Sequence, residues 1–238
     1  MLPALSAIYD GYENFSRIAQ DHFSGSLAGK LFLRFGIEGK GLTAMVGASI
    51  AGACSLCVEP DPERLREALR AGLCDFVVGP LDEALRILKN ELRRGLPVSV
   101  GMTAEPNPTL AEMMQRGVQP DFVSLAPGQP SGLIDSGALA VGETDTPAAG
   151  TAVVEWTLPL NEVRAMPQIT RIVTQILDAA RSDTPLRQRW LEQAPRHLGR
   201  PFAAHQCVRM TATESAAFAT AARAQCPIID IKINGTAF

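Results

Sequence analysis

From residue 31 to residue 125 the chain alternates short apolar runs with helix-patterned ones, and this alternation limits its fold more than any other feature. LFLRF reads as a strand, LTAMVGASIAGA as a helix of small residues and CSLCVE as a second strand. DPERLREALRAG is a helix with Asp61 as N-cap, Pro62 at the first helical position and Gly72 at its end. CDFVV, PVSVG and PDFVSL are further strands, separated by the helices LDEALRILKNELRRG, closed by Gly95, and TLAEMMQRG. Short apolar strands joined by helices are β-α-β units, which build a doubly wound parallel sheet. Right-handed crossovers then bring the ends of the strands, and any ligand, to one edge of that sheet.

Ahead of the first strand, DGYENFSRIAQDHF sets Tyr12, Phe15, Ile18, Ala19 and Phe23 at helical spacing, so a helix with one apolar stripe is expected against the sheet. After Leu125 the pattern stops. APGQPSGLIDSGALAVGETDTPAAG is rich in Gly, Pro, Ser, Asp and Ala and reads as a linker or a long functional loop. Beyond it come the strand AVVEWTL, the helix NEVRAMPQITRIVTQILDAAR with Pro167 as its interruption, the helix LRQRWLEQA, the strand HQCVRM, the helix TESAAFATAARAQ and the strand PIIDIKI. The expected organisation is α/β: a Rossmann-like domain over residues 1–125, a linker over 126–150 and a C-terminal α/β extension over 151–238. That extension either lengthens the first sheet or forms a small unit of its own, packing on the first domain or making a homodimer contact.

Charge narrows the partners. A formal net charge of −3 with no Lys/Arg cluster argues against nucleic acid and for a small molecule, a nucleotide or another protein. The N-terminal MLPALSAIYDGYENF lacks the basic start and apolar core of a signal peptide, and no apolar run reaches bilayer length, so a cytoplasmic location without membrane insertion is expected. The five cysteines are odd in number and lie mostly in apolar runs, which suits reduced, buried thiols. Cys54 and Cys57 form a C-S-L-C pair, but no second pair or nearby histidine completes four ligands, so no metal site is expected.

The turn after the first strand carries the candidate chemistry. In a dinucleotide-binding β-α-β unit, glycines let the backbone approach a pyrophosphate while the next helix supplies amide donors and a favourable dipole. Gly36, Gly39 and Gly41, around Lys40, stand in that turn as G-x-x-G-x-G. A carboxylate about twenty residues on, at the end of the second strand, would accept hydrogen bonds from ribose hydroxyls. Glu59 closes CSLCVE at that place.

Taken together, GYENFSRIAQDHFSGSLAGKLFLRFGIEGKG, GASIAGACSLCVEPDPERL, GLCDFVVGPLDEALRILKN, LPVSVGM and RGVQPDFV resemble, in order, the NAD-binding domain of urocanase (urocanate hydratase). The resemblance implies a Rossmann-like fold, NAD as cofactor and, if the chain is an enzyme, a lyase of the hydratase type. In that family the turn reads approximately G-L-G-G-M-G-G-A-Q-P. Gly39, Lys40 and Gly41 lie on its G-M-G, and Glu59 and Arg64 on the cofactor-contacting positions of E-x-D-P-x-R.

Other positions depart from the family. Glu38 replaces a glycine, and Ala44 and Met45 replace glutamine and proline. A carboxylate at Glu38 turned inward would repel a pyrophosphate, which the charge of Lys40 would offset. The family's G-N-A is Thr103, Ala104, Glu105 and Pro106 here, and its D-Q-T-S-A-H is replaced over residues 125–130. The urocanase reaction uses NAD as an electrophile toward the substrate's imidazole ring inside a closed pocket. The chain therefore reads as a divergent relative: a dinucleotide-binding protein, or a non-enzymatic binding module on a decayed site, or one half of a composite enzyme.

Three further groups bear on the site. Glu38, Glu105, Asp121 and Glu143 are expected at one sheet edge, where they would bind a cationic ligand, act as acid and base, or simply be solvated. In DPERLREALR, Arg64 has Glu63 and Glu67 as alternative helical partners. His205 and Cys207 alternate along a strand, an arrangement open to a nucleophile pair and better suited to a structural role.

Overall fold

Helix α1 (Leu5–His22) carries one apolar stripe, of which Tyr12, Phe15 and Ala19 are buried and Ile18 is half-buried, as is Phe23 just past its end. The computed structural model describes residues 2–125, 131–142, 150–234 and 236–237. The chain forms two units, Met1–Pro3 with Asp10–Thr144, and Ala4–Tyr9 with Asp145–Phe238.

The first unit is built on strands β1 (Leu31–Phe35), β2 (Cys54–Glu59), β3 (Phe76–Val78), β4 (Ser99–Thr103), β5 (Phe122–Ser124) and β6 (Leu139–Ala140), joined by α2 (Gly41–Ala51), α3 (Pro62–Arg70), α4 (Leu81–Arg94), α5 (Pro106–Gln115) and the short α6 (Gly132–Asp135). The strands pair in parallel in the order β3-β4-β2-β1-β5-β6. From β1 the chain passes to β2, then out to β3 and back to β4 between them, and finally crosses to the other side of β1 as β5. The switch point between β1 and β5 is where such sheets open a crevice at their carboxyl ends. Of the segment read as linker or loop, the described part contributes α6 and β6, the latter pairing Leu139 with Phe122.

Both sheet faces are covered, as strands that are apolar on both sides require. Leu31, Leu33, Phe35, Leu56 and Val58 pack with Leu81, Leu85 and Leu88 of α4 and Leu110 and Met113 of α5. On alternate positions, Cys57 packs with Met45 of α2 and Leu65 of α3, and Phe32 stacks on Phe122 with Phe15 edge-on to it. The helix ends are chemically marked: the Asp61 carboxylate accepts the Glu63 N–H at 2.9 Å, Pro62 opens α3, and Gly95 closes α4 with φ 65°.

The second unit has its own antiparallel sheet in the order β10-β9-β7-β8, from β7 (Thr151–Thr157), β8 (His205–Thr211), β9 (Asp230–Ile233) and β10 (Thr236–Ala237). It is accompanied by α7 (Met166–Ile176), α8 (Thr184–His197) and α9 (Ala212–Gln225). Pro167 does not interrupt a helix; it stands at the start of α7, after a 3₁₀ turn over Leu160–Ala165. Trp156 packs on Phe218, and Tyr9 meets Trp190 edge-on at 4.9 Å. Arg187 is also buried here, ion-paired to Glu214 at 2.9 Å.

Candidate nucleotide site at the end of the first strand

Strand β1 runs out at Phe35, and the chain turns through Gly36 and Gly39, whose φ angles of 82° and 57° are left-handed. A Cβ on either glycine would meet nothing within 4 Å, so this side of the turn is open. Gly41 begins α2 under the opposite constraint. A Cβ there would sit 2.5 Å from the Gly36 carbonyl oxygen and 3.0 Å from Arg34 Nε. Lys40, at the N-cap, is exposed. The result is an open glycine face at the amino end of an 11-residue helix, beside the switch point.

Much of the turn's hydrogen bonding is internal. Gly36 N–H donates to Val58 O at 2.8 Å, Ile37 N–H to Glu59 Oε2 at 2.8 Å, Gly41 N–H to Glu38 O at 2.9 Å and Leu42 N–H to Ile37 O at 3.2 Å. The Glu38 and Gly39 amides have no acceptor among the described residues, which makes them the turn's donors to anything outside it.

Glu59 closes β2 but does not hang free at its end. Its side chain is 2% exposed, with Oε2 accepting from Ile37 and Oε1 accepting the Asp61 N–H at 3.0 Å. Arg64, 42% exposed at its side chain, faces Glu59 at 3.6 Å, Asp61 at 3.4 Å and Glu38 at 2.5 Å. Of the two helical partners offered to Arg64 by the sequence, Glu63 pairs instead with Arg66 and Arg70. Glu38 is consequently directed toward a guanidinium. The structure thus brings Gly36, Gly39, Lys40, Gly41, Glu59 and Arg64 to one edge, with Glu59 spent as a brace between strand and turn.

Sequence reasoning passed over Arg34. Within β1 its Nε donates to the Gly36 carbonyl at 3.2 Å and its Nη1 to the Ser124 hydroxyl at 2.9 Å, bridging β1 and β5 at the switch point. One signal was available: it is the single charged residue in LFLRF, and a charge in a buried strand needs partners.

The acidic set does not converge as expected. Glu105 is exposed and precedes α5 at the carboxyl end of β4. Asp121 lies at the opposite end of the sheet, because it precedes β5; it accepts from Lys30 Nζ at 2.9 Å and from the Leu31 N–H at 2.8 Å as β1 begins. Glu143 lies outside the described residues.

The thiols are buried and unbonded to one another. Burial pushes Cys54 and Cys74 up to about 11. It raises Cys57 further, aided by the neighbouring Cys74 and Glu59. No group of three or more His, Cys, Asp or Glu among the described residues is arranged to hold a metal ion. His205 is exposed and meets the Thr157 hydroxyl through Nδ1 at 3.0 Å, whereas Cys207 is fully buried. No helix among the described residues is long and apolar enough to cross a membrane.

Residues 7–126, half of the chain, match the family described as the urocanase Rossmann-like domain. The match contains the glycine turn, β2 with Glu59, and the β1–β5 switch point.

Proposed function

The chain belongs to the urocanase Rossmann-like family, and on that premise we propose that its first unit binds a dinucleotide of the NAD class at the turn between β1 and α2. The observation that carries the reading is the open glycine face at the amino end of α2. A pyrophosphate there would meet the helix dipole, the Glu38 and Gly39 amides and the Lys40 ammonium. The residues present fit that group: the space a Cβ would fill over Gly36 and Gly39 is empty, and the nearest carboxylate on the turn, Glu38, is turned to Arg64.

The carboxylates around Arg64 give the site a preference. Glu38, Glu59 and Asp61 surround one guanidinium, so the region where an adenosine ribose would lie carries excess negative charge. A 2′-phosphate is disfavoured there, and a bare ribose is accepted. When bound, a nicotinamide would supply an electrophilic ring, and this chain's residues would hold its phosphates and ribose. A hydratase-type reaction would further need a substrate pocket beside that ring.

A second reading has its own support. Both Glu59 oxygens already accept backbone N–H groups, so the site has turned part of its ligand chemistry to structural use, as expected of a binding module with an altered ligand. Calorimetric titration with NAD, NADP and AMP separates the two. Dinucleotide binding requires a saturable NAD isotherm, at least tenfold weaker NADP binding, and weakening by Lys40→Glu. A folded protein that takes up none of the three nucleotides excludes it.

A further inference from the structure

The second unit contains a cavity of about 280 Å³ that the nucleotide reading does not use. Its walls come from Met166 at the start of α7, Trp190 and Leu191 of α8, and Phe202. Trp190 contributes only its ring face, because its indole N–H is committed to the Cys207 carbonyl at 2.6 Å. Three polar side chains join this apolar lining: Arg200, His205 and Gln206.

All three keep unused donors. Arg200 has no ion-pair partner among the described residues, and it is exposed. His205 meets the Thr157 hydroxyl through Nδ1, and in the tautomer in which Nδ1 accepts, its Nε2–H is left to donate. Gln206 is held by the Thr170 hydroxyl at 2.7 Å, and whichever way the amide is turned at least one N–H remains. A guanidinium fork, an imidazole nitrogen and an amide N–H beside an aromatic and aliphatic wall are complementary to an anion with an apolar body.

We infer that this cavity binds a small monocarboxylate whose body is a single aromatic ring or a branched aliphatic chain. Volume sets the size: an apolar cavity of about 150 Å³ admits benzene, so this one has room for a ring with a short acid side chain. Charge sets the head group. One guanidinium with two further donors matches a single negative charge and not the nearly two of a phosphate monoester.

The test uses the whole chain with 3-phenylpropanoate, 3-phenylpropan-1-ol and phenyl phosphate as probes, read by Trp fluorescence and calorimetry. Saturable binding of the acid is expected, with a change in Trp190 emission that disappears in Trp190→Phe. The alcohol should bind at least tenfold more weakly, and Arg200→Gln, at an exposed position, should weaken the acid by a similar factor. Equal binding of acid and alcohol, or an unchanged affinity in Arg200→Gln, overturns the anion-binding assignment. Tighter binding of phenyl phosphate overturns the choice of head group, and no binding of any probe at millimolar concentration overturns the site.

Discussion

The Glu59 carboxylate accepts the Ile37 backbone N–H at 2.8 Å, tying the end of β2 to the turn that follows β1. The same carboxylate holds the Asp61 N–H at 3.0 Å, so one buried charge organises the turn and the start of α3 together. Removing it leaves two backbone donors without their acceptor. Glu59→Ala should cost about 3 kcal/mol in urea unfolding, and Glu59→Gln, which keeps one acceptor oxygen, about half of that. A loss of NAD affinity in Glu59→Ala alone therefore does not identify a ribose contact. An unfolding midpoint equal to that of the parent would show that the carboxylate does not brace the turn.

Glu38 and Arg64 form an exposed pair above that brace. Surface pairs contribute little to stability, so Glu38→Gln should change unfolding by less than about 1 kcal/mol. Its effect on binding should be larger in proportion, because a negative charge leaves the turn and the Arg64 guanidinium is released toward a pyrophosphate. NAD affinity should rise several-fold at low ionic strength, and the gain should shrink as salt screens the charges. Weaker binding in Glu38→Gln would mean that the pair positions the ligand.

Helices α1 and α2 approach closely at Gly47, where a Cβ would lie 2.7 Å from both the Gly11 carbonyl carbon and the Tyr12 nitrogen. Those are backbone atoms, so the helices must separate to admit a side chain. Gly47→Val should destabilise the protein by roughly 1–3 kcal/mol through overpacking, despite valine's higher helix propensity than glycine's. Denaturant unfolding that shows the variant as stable as the parent would contradict this close crossing.

The order of elements in the first unit was legible because each strand is bounded by chemistry that acts locally: Asp61 and Pro62 start α3, and Gly95 ends α4. Partners distant in sequence were not legible. Helical spacing offers Arg64 the alternative partners Glu63 and Glu67, but the folded turn brings Glu38 to it. Composition alone puts Asp121 among the loop carboxylates, but it precedes its strand and so falls at the other sheet end. In the second half, periodicity identified strands without stating which would pair, and the separate antiparallel sheet emerges only from that pairing. The cavity holding Arg200 and His205 left no sequence signal, since its lining is spread over several elements.

The buried thiols lead to a chemical prediction. Burial disfavours the thiolates of three of them, with Cys54 and Cys74 pushed up to about 11 and Cys57 higher still. Because the thiolate is the reactive form, these cysteines should resist a disulfide reagent at pH 8 in the native protein. All five should react promptly in denaturant. Rapid native labelling of Cys57 would show that the core around β2 opens more readily than its packing indicates.

Arg187 in α8 is 1% exposed and shares Glu214 with the amino end of α9, where Glu214 also completes a capping box with Thr211. Burial pushes the Glu214 carboxyl up, but the Thr211 and Asp178 N–H groups and the Arg187 guanidinium together outweigh it and hold it below the ordinary carboxylate value. Asp183 is held low mainly by its hydrogen bonds from Arg181, against burial, with Arg187 nearby adding to the effect. The sign follows from these depressed values: the unfolded chain takes up protons first as pH falls, so the native state loses stability on acidification. The stabilisation should be fully present above the unfolded carboxylate range, about pH 4 to 5, and decline progressively below it. Glu214→Ala leaves a buried guanidinium short of its main counter-charge and should cost roughly 3–5 kcal/mol at pH 7. Glu214→Gln keeps the shape without the charge, and its unfolding free energy should fall less than the parent's between pH 6 and pH 3. Parallel pH profiles for parent and Glu214→Gln would remove Glu214 as a source of the acid sensitivity.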